Sequence, residues 1–137
     1  MCDLRLCAPT AIFAQTEILL GLTQIAYPLY KIIGFGRAKE MAMTGDAISA
    51  DEAYRIGLVN RIYPDDELLE EALKLAVKLA SRPRQALFES KRLSHELLDL
   101  DTASAFERMK GAIIERLATE EHRRKVGEYV ERLKRKG

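Results

Sequence analysis

The apolar positions of this chain change their spacing as the chain proceeds. Over the first seven residues they alternate, with Asp3 and Arg5 on one face and Cys2, Leu4 and Leu6 on the other, which predicts a half-buried strand. Pro9-Thr10 breaks the alternation, and residues 11–14 (Ala-Ile-Phe-Ala) predict a second short strand leading into Gln15-Thr16-Glu17. The run Ile18-Leu19-Leu20-Gly21-Leu22 is apolar but too short for its period to assign it. Beyond it the period is mostly helical. Short helices are predicted over residues 28–33, stopped by Gly34, and over 37–43, stopped at Thr44-Gly45. Ser49 and Glu52 have the spacing of a capping box, opening a helix that Gly57 ends. Residues 58–63 predict a strand, after which Pro64-Asp65-Asp66 caps a helix whose Leu68, Ala72, Leu75 and Leu79 form one stripe. Ser81-Arg82-Pro83 starts the next helix. Thr102 and Thr119 are the expected N-caps of the last two, with stripes of Phe106, Met109, Ile113 and Leu117, then Val126, Tyr129, Val130 and Leu133.

Composition narrows the class. The chain has 137 residues, 47% hydrophobic and 31% charged, which predicts one small globular domain and not two. A net charge of +1 excludes a broad electrostatic footprint for nucleic acid. Residues 1–64 carry six basic and six acidic groups, and residues 65–137 sixteen and fifteen, so the second part is a densely charged helical region. The longest nearly apolar run, residues 18–30, is broken by Thr23, Gln24 and Pro28. It falls short of the about 20 residues a membrane span needs. The opening Met-Cys-Asp has neither the basic nor the apolar region of a secretory leader, and a cytoplasmic setting is expected. Cys2 and Cys7, an odd number of residues apart with no nearby histidine, predict reduced thiols, no disulfide and no zinc site. A strand with no preceding element calls for partner strands elsewhere, so the chain is expected to be the C-terminal part of a larger fold.

Candidate chemistry is sparse. No GxSxG, P-loop, GxGxxG or HExxH occurs. His95 and His122 sit among charged residues and are expected to be solvated helix positions. Glu17 stands out as the one acidic residue between Asp3 and Glu40, set between Phe13-Ala14 and Ile18-Leu19-Leu20. A carboxyl in apolar company is expected to have a raised pKa, as a general acid or base needs, whereas a surface helix start would give it no such role.

Four ordered motifs carry a resemblance. Cys2-Asp3-Leu4 with Phe13-Ala14-Gln15-Thr16-Glu17 and Leu20-Gly21, the helix from Gly34 to Gly45 with Arg37-Ala38-Lys39-Glu40-Met41, Ile48-Ser49-Ala50-Asp51-Glu52-Ala53, and Gly57-Leu58-Val59-Asn60-Arg61 together resemble the C-terminal half of the enoyl-CoA hydratase/isomerase (crotonase) family, whose matching helix ends in Leu-Thr-Gly. The resemblance implies an α/β crotonase-like fold. Residues 1–64 would be the end of its spiral core and residues 65–137 a helical region for trimer or hexamer formation. It implies acyl-CoA thioester substrates, enolate chemistry of hydratase or isomerase type, and no metal or separate cofactor, coenzyme A being part of the substrate. Glu17 matches one of the family's two catalytic carboxylates. The other carboxylate and the backbone donors for the thioester oxygen lie, in the family, upstream of the Cys-Asp strand. This chain is therefore expected to be inactive alone, the alternative being an assembly half of a split protein. Two features depart from the hydratase pattern. Thr16 replaces a proline, and Leu22-Thr23-Gln24-Ile25-Ala26-Tyr27 replaces a glycine-rich loop, which leaves the reaction type open and makes Leu22, Ile25 and Tyr27 either the acyl-pocket residues or simple packing residues. Tyr129 and Arg132 match positions that approach the CoA nucleotide, where a cation suits the phosphates, the alternative being a solvated charged tail.

Overall fold

The computed structural model describes residues 2–23 and 27–135. Its contacts separate two compact units, one ending at Leu75 and one beginning at Ala76.

The first unit runs β1 (Leu6–Cys7), β2 (Ile12–Phe13), a 3₁₀ turn (Thr16–Leu20), α1 (Tyr27–Ile33), α2 (Phe35–Thr44), β3 (Ile48–Ser49), α3 (Ala50–Arg55) and β4 (Arg61–Ile62), then the start of α4 (Leu68–Ala80). β1 pairs in parallel with β4, Leu6 opposite Arg61, and β2 pairs antiparallel with β3, Ile12 opposite Ser49. Asn60 holds the parallel register. Its Oδ1 accepts the Arg5 N–H at 2.7 Å, and its own N–H donates to the Arg5 carbonyl at 2.7 Å. The Arg5 guanidinium adds donations to the carbonyls of Leu58 and, at 2.9 Å, Cys2.

Both parallel strands are shorter than the alternation predicts. The Arg5 side chain competes for backbone carbonyls, and residues 3 and 4 form a bend. Leu4 is left exposed, and Cys7, not Cys2 or Leu4, is the buried position. In the segment 58–63, the N–H groups of Leu58 and Val59 both donate to the Ala53 carbonyl, at 2.8 and 3.1 Å, and close α3 instead of entering a ladder. β3 was not anticipated, being two residues directly ahead of a helix cap. That cap forms as half a capping box. Ser49 Oγ accepts the Glu52 N–H at 3.3 Å, while the Glu52 carboxylate turns to Arg55, with both contacts 2.6 Å.

The core consists of two clusters of mainly small side chains: Cys7, Ala50, Ala53 and Val59, and then Ile33, Ala38 and Met41. Phe13, Ile48 and Leu58 pack against both and join them. Burial pushes the Cys7 thiol up, with Asp51 adding to it.

The second unit holds the end of α4, then α5 (Arg84–Glu96), a 3₁₀ turn (Leu97–Asp99), α6 (Thr102–Leu117) and α7 (Glu120–Lys134). Pro83 stands at the N-cap of α5. Asp101, not Thr102, caps α6, its carboxylate accepting the N–H groups of Ala103 and Ser104 at 3.0 Å each. Thr119 caps α7 as the sequence predicts, accepting the His122 N–H at 3.2 Å. Arg108 ties α6 to α5 through Glu96 at 2.7 Å and Glu89 at 3.5 Å, and Arg116 ties α6 to α7 through Glu121. Among the described residues of this unit only Ala112 is buried as an apolar side chain. The predicted stripes of α6 and α7 are open to solvent, as are Leu69, Leu73 and Val77 on a second face of α4. Among the described residues no helix is long and apolar enough to cross a membrane.

Candidate active site

Glu17 lies in the first turn of the 3₁₀ segment, and the untyped apolar run is the rest of that turn. The turn is closed by Gly21, whose left-handed backbone (φ 73°) lets its N–H reach the Ile18 carbonyl at 3.0 Å. The Leu22 N–H then donates to the Glu17 carbonyl at 3.1 Å. β2 delivers the chain into this turn. Phe13 anchors it in both core clusters, so the backbone of Glu17 is held from a packed strand even though its side chain is exposed.

The apolar enclosure expected around the carboxylate is not built by the described residues. Glu17 is exposed and Leu20 is 77% accessible. Two residues before Glu17, Gln15 carries a buried Oε1 with no hydrogen-bond partner among the described residues. Sequence reasoning treated Gln15 only as part of a motif. A buried amide oxygen without a donor costs free energy.

The other expected pocket residues are also open. Leu22 and Tyr27 are each exposed, and Ile25 lies outside the described residues. Tyr27 packs edge-on against Tyr30 at 5.5 Å, and Tyr30 against Phe35 at 5.5 Å, with Lys31 over Tyr27 at 5.1 Å and Lys39 over Phe35 at 4.4 Å. In the second unit Arg132 stacks on the ring of Tyr129 with 4.9 Å between guanidinium and centroid, so these two expected nucleotide contacts form one cation–ring pair. His95 is exposed as expected, but His122 is half-buried in the first turn of α7 and lines a cavity of about 280 Å³ with Leu93, Met109, Ala112 and Ile113. Among the described residues no group of three or more His, Cys, Asp or Glu could hold a metal ion.

Solved structures of crotonase-type α/β folds share this architecture. An enoyl-CoA hydratase of Mycobacterium smegmatis superposes with a TM-score of 0.90 at 28% identity, over 96% of this chain and 52% of its own. One from Bacillus anthracis gives 0.89 at 30% identity over the same shares. A family model for enoyl-CoA hydratase/isomerase matches residues 1–136, and the chain belongs to that family. Among curated relatives, the short-chain-enoyl-CoA hydratase of Clostridium acetobutylicum is 36% identical over 141 aligned residues, 99% of this chain and 53% of the relative. The crotonyl-CoA hydratase of Syntrophomonas wolfei is 40% identical over 111 residues, 77% of this chain and 43% of the relative. The chain thus spans about half the length of the curated relatives it matches.

Proposed function

We propose that this chain supplies one half of an acyl-CoA enolate site of hydratase or isomerase type, with Glu17 as the acid/base group. The observation that carries the reading is Glu17 in the Phe-Ala-Gln-Thr-Glu segment, held on a hydrogen-bonded turn with its carboxylate presented outward. In a hydratase step, water adds across the carbon–carbon double bond of an enoyl thioester. Hydroxide ends on the far carbon and a proton on the carbon next to the thioester. Glu17 would deliver that proton or remove it in the reverse direction. The negative charge passing through the thioester oxygen needs backbone donors, which the other half of the fold would supply. Coenzyme A arrives and leaves with the acyl group, so no separate cofactor or metal is proposed. Leu22, Ile25 and Tyr27 would line the acyl chain, and the Tyr129–Arg132 pair would approach the nucleotide.

Residues 1–64 would then be the catalytic edge of the spiral core, and residues 65–137 the assembly region, joining copies as trimers or hexamers through the open stripes of α6 and α7. The free Cys2 and Cys7 suit a reducing cytoplasmic setting. The exposure of Glu17 also favours a second reading, in which this half serves assembly alone.

Crotonyl-CoA hydration, followed by loss of enoyl absorbance, separates the two readings. The assay uses the purified chain with and without a co-expressed polypeptide carrying the other half of the fold. The chain alone should be inactive, since loss of each oxyanion donor typically costs roughly 10²–10³-fold. In an active complex Glu17→Gln should lower kcat by roughly 10²–10⁴-fold with little change in KM. Turnover by the chain alone that Glu17→Gln abolishes would refute the shared site. A fully active Glu17→Gln complex would refute the acid/base role.

A further inference from the structure

We propose that Gly45, which closes α2 in the Met-Thr-Gly motif, is a positioning residue for the Glu17 turn. Gly45 is buried and takes the left-handed conformation, φ 73°, and its N–H donates to the Met41 carbonyl at 3.1 Å. The adjacent hydroxyl of Thr44 fixes the same corner from both sides. It donates to the Glu40 carbonyl at 2.8 Å and accepts the Asp46 N–H at 3.1 Å. The helix end and the departing chain are therefore set, and residue 45 has little room to retreat.

The face that a side chain would occupy at this corner is filled by the turn that carries Glu17. A Cβ placed on Gly45 would stand 2.9 Å from Leu19 Cγ, 3.1 Å from Leu19 Cδ2 and 3.1 Å from Ile18 Cγ2. The first distance is shorter than carbon atoms tolerate, and Leu19 Cγ sits at the root of its side chain, so relief needs the side chain or its backbone to move. Ile18 and Leu19 immediately follow Glu17 in a turn of five residues. A displacement of the Leu19 backbone therefore reaches Glu17 directly. Other positive-φ glycines in the chain, Gly21, Gly34 and Gly57, have nothing within 4 Å of the same position. The requirement at residue 45 is thus steric contact with the Glu17 turn added to backbone conformation. Its consequence for catalysis rests on the reading of Glu17 as the acid/base group, while the contact itself does not.

Hydrogen exchange on the 137-residue chain tests the contact. The reporters are the amides of Gly21 and Leu22, which donate to Ile18 and Glu17, and the control is the Leu58 amide, which donates to Ala53. Gly45→Ala should accelerate exchange at Gly21 and Leu22 by roughly tenfold, the size expected of a local opening that relieves strain of this order, and leave Leu58 unchanged. In a Leu19→Ala background the same substitution should lose most of its effect on those two amides, because the two Leu19 contacts are gone while the 3.1 Å contact with Ile18 and the left-handed strain remain. If Gly45→Ala alone fails to fold, recovery of the fold in the double variant supports the proposal, and failure of both overturns it. Equal acceleration at all three amides, no acceleration at Gly21 and Leu22, or an effect that persists undiminished in the Leu19→Ala background also overturns it. In an active complex with the other half, Gly45→Ala should lower kcat by roughly 10²-fold through misplacement of the carboxylate, with KM unchanged. Selective loosening of the turn with an unchanged kcat, in a complex that Glu17→Gln inactivates, would uphold the contact and refute its consequence for catalysis; a Glu17→Gln complex that stays active refutes the reading of Glu17 instead.

Discussion

Two methionines on one helix offer a direct test of where the core lies. Met41 and Met43 are both in α2, but Met41 is 6% exposed, within the cluster of Ile33 and Ala38, whereas Met43 is 72% exposed. Met41→Ala removes three heavy-atom groups from the interior. At about 0.8 kcal/mol per buried methylene-sized group, the transfer contribution is about 2.4 kcal/mol. A residual void of roughly 30 Å³, at about 24 cal/mol per Å³, adds about 0.7 kcal/mol. The total, about 3 kcal/mol, is a large fraction of the roughly 5–15 kcal/mol that holds a typical domain folded. Met43→Ala should stay within about 0.5 kcal/mol of the parent. The change in helix propensity is common to both variants, so it cancels in the comparison. Met41→Leu, which keeps the volume, should lose less than about 1.5 kcal/mol. Urea unfolding followed by far-UV circular dichroism measures all three. With a slope of about 1–3 kcal/mol per molar, the midpoint of Met41→Ala should fall by roughly 1–3 M. Equal losses at positions 41 and 43, or a loss below about 1 kcal/mol at Met41, would mean that this cluster is not a working core.

Two further expectations follow from the second unit. The hydroxyl and backbone N–H of Ser104 hold the Asp101 carboxyl below its ordinary 3.8, with the Ala103 N–H helping. A carboxyl depressed on folding stabilises fully above its unfolded value and loses that contribution as pH falls through the folded one, so this part of α6's stability should hold down to about pH 4 and then decline. Asp101→Asn should make the acid decline shallower by one group's worth in thermal melts at stepped pH, and an unaltered decline would refute the role of the cap. Light scattering at micromolar concentration should give a mass above the 15.5 kDa of one chain, and Ile113→Glu on the open face of α6 should lower it towards that value; a monomeric parent would refute assembly through this stripe.

Local chemistry made much of the fold legible. Helix stops at Gly34 and Gly45, the Ser49 and Thr119 caps, and the half-buried stripe of Leu68, Ala72, Leu75 and Leu79 all follow from preferences written within a turn of the residues concerned. The α6 cap was displaced by one residue because Asp101 and Thr102 are both good caps, and the carboxylate reached two N–H groups. The strands are shorter than the sequence predicts because ladder membership depends on a distant partner: nothing near Arg5 announces that it will exchange hydrogen bonds with Asn60, whereas the Leu58 N–H to Ala53 bond is the local helix closure that the left-handed Gly57 permits. At the candidate site, Glu17 was legible as an isolated acid among apolar residues and from its motif. The surroundings of its carboxylate were not, because enclosure is a property of whatever packs on that turn. Gly45 was legible only as a helix stop, since a steric contact across 26 residues of sequence leaves no local pattern.

The pairing of β1 with β4 has a consequence for the order in which the chain assembles. Its two halves are separated by 55 residues along the sequence, and the ladder is two residues long. α1 and α2 meet close in sequence, whereas α3 packs Ala50 and Ala53 on Cys7 of β1, and closing so long a loop spends chain entropy before any hydrogen bond repays it. The local corner of α1 and α2 should therefore form ahead of the ladder, with Arg5 joining Asn60 late. In unfolding the sequence reverses: the Arg5–Asn60 clasp is the latch that opens first, and β1 peels from β4 while α2, Gly45 and the turn beside them are still intact.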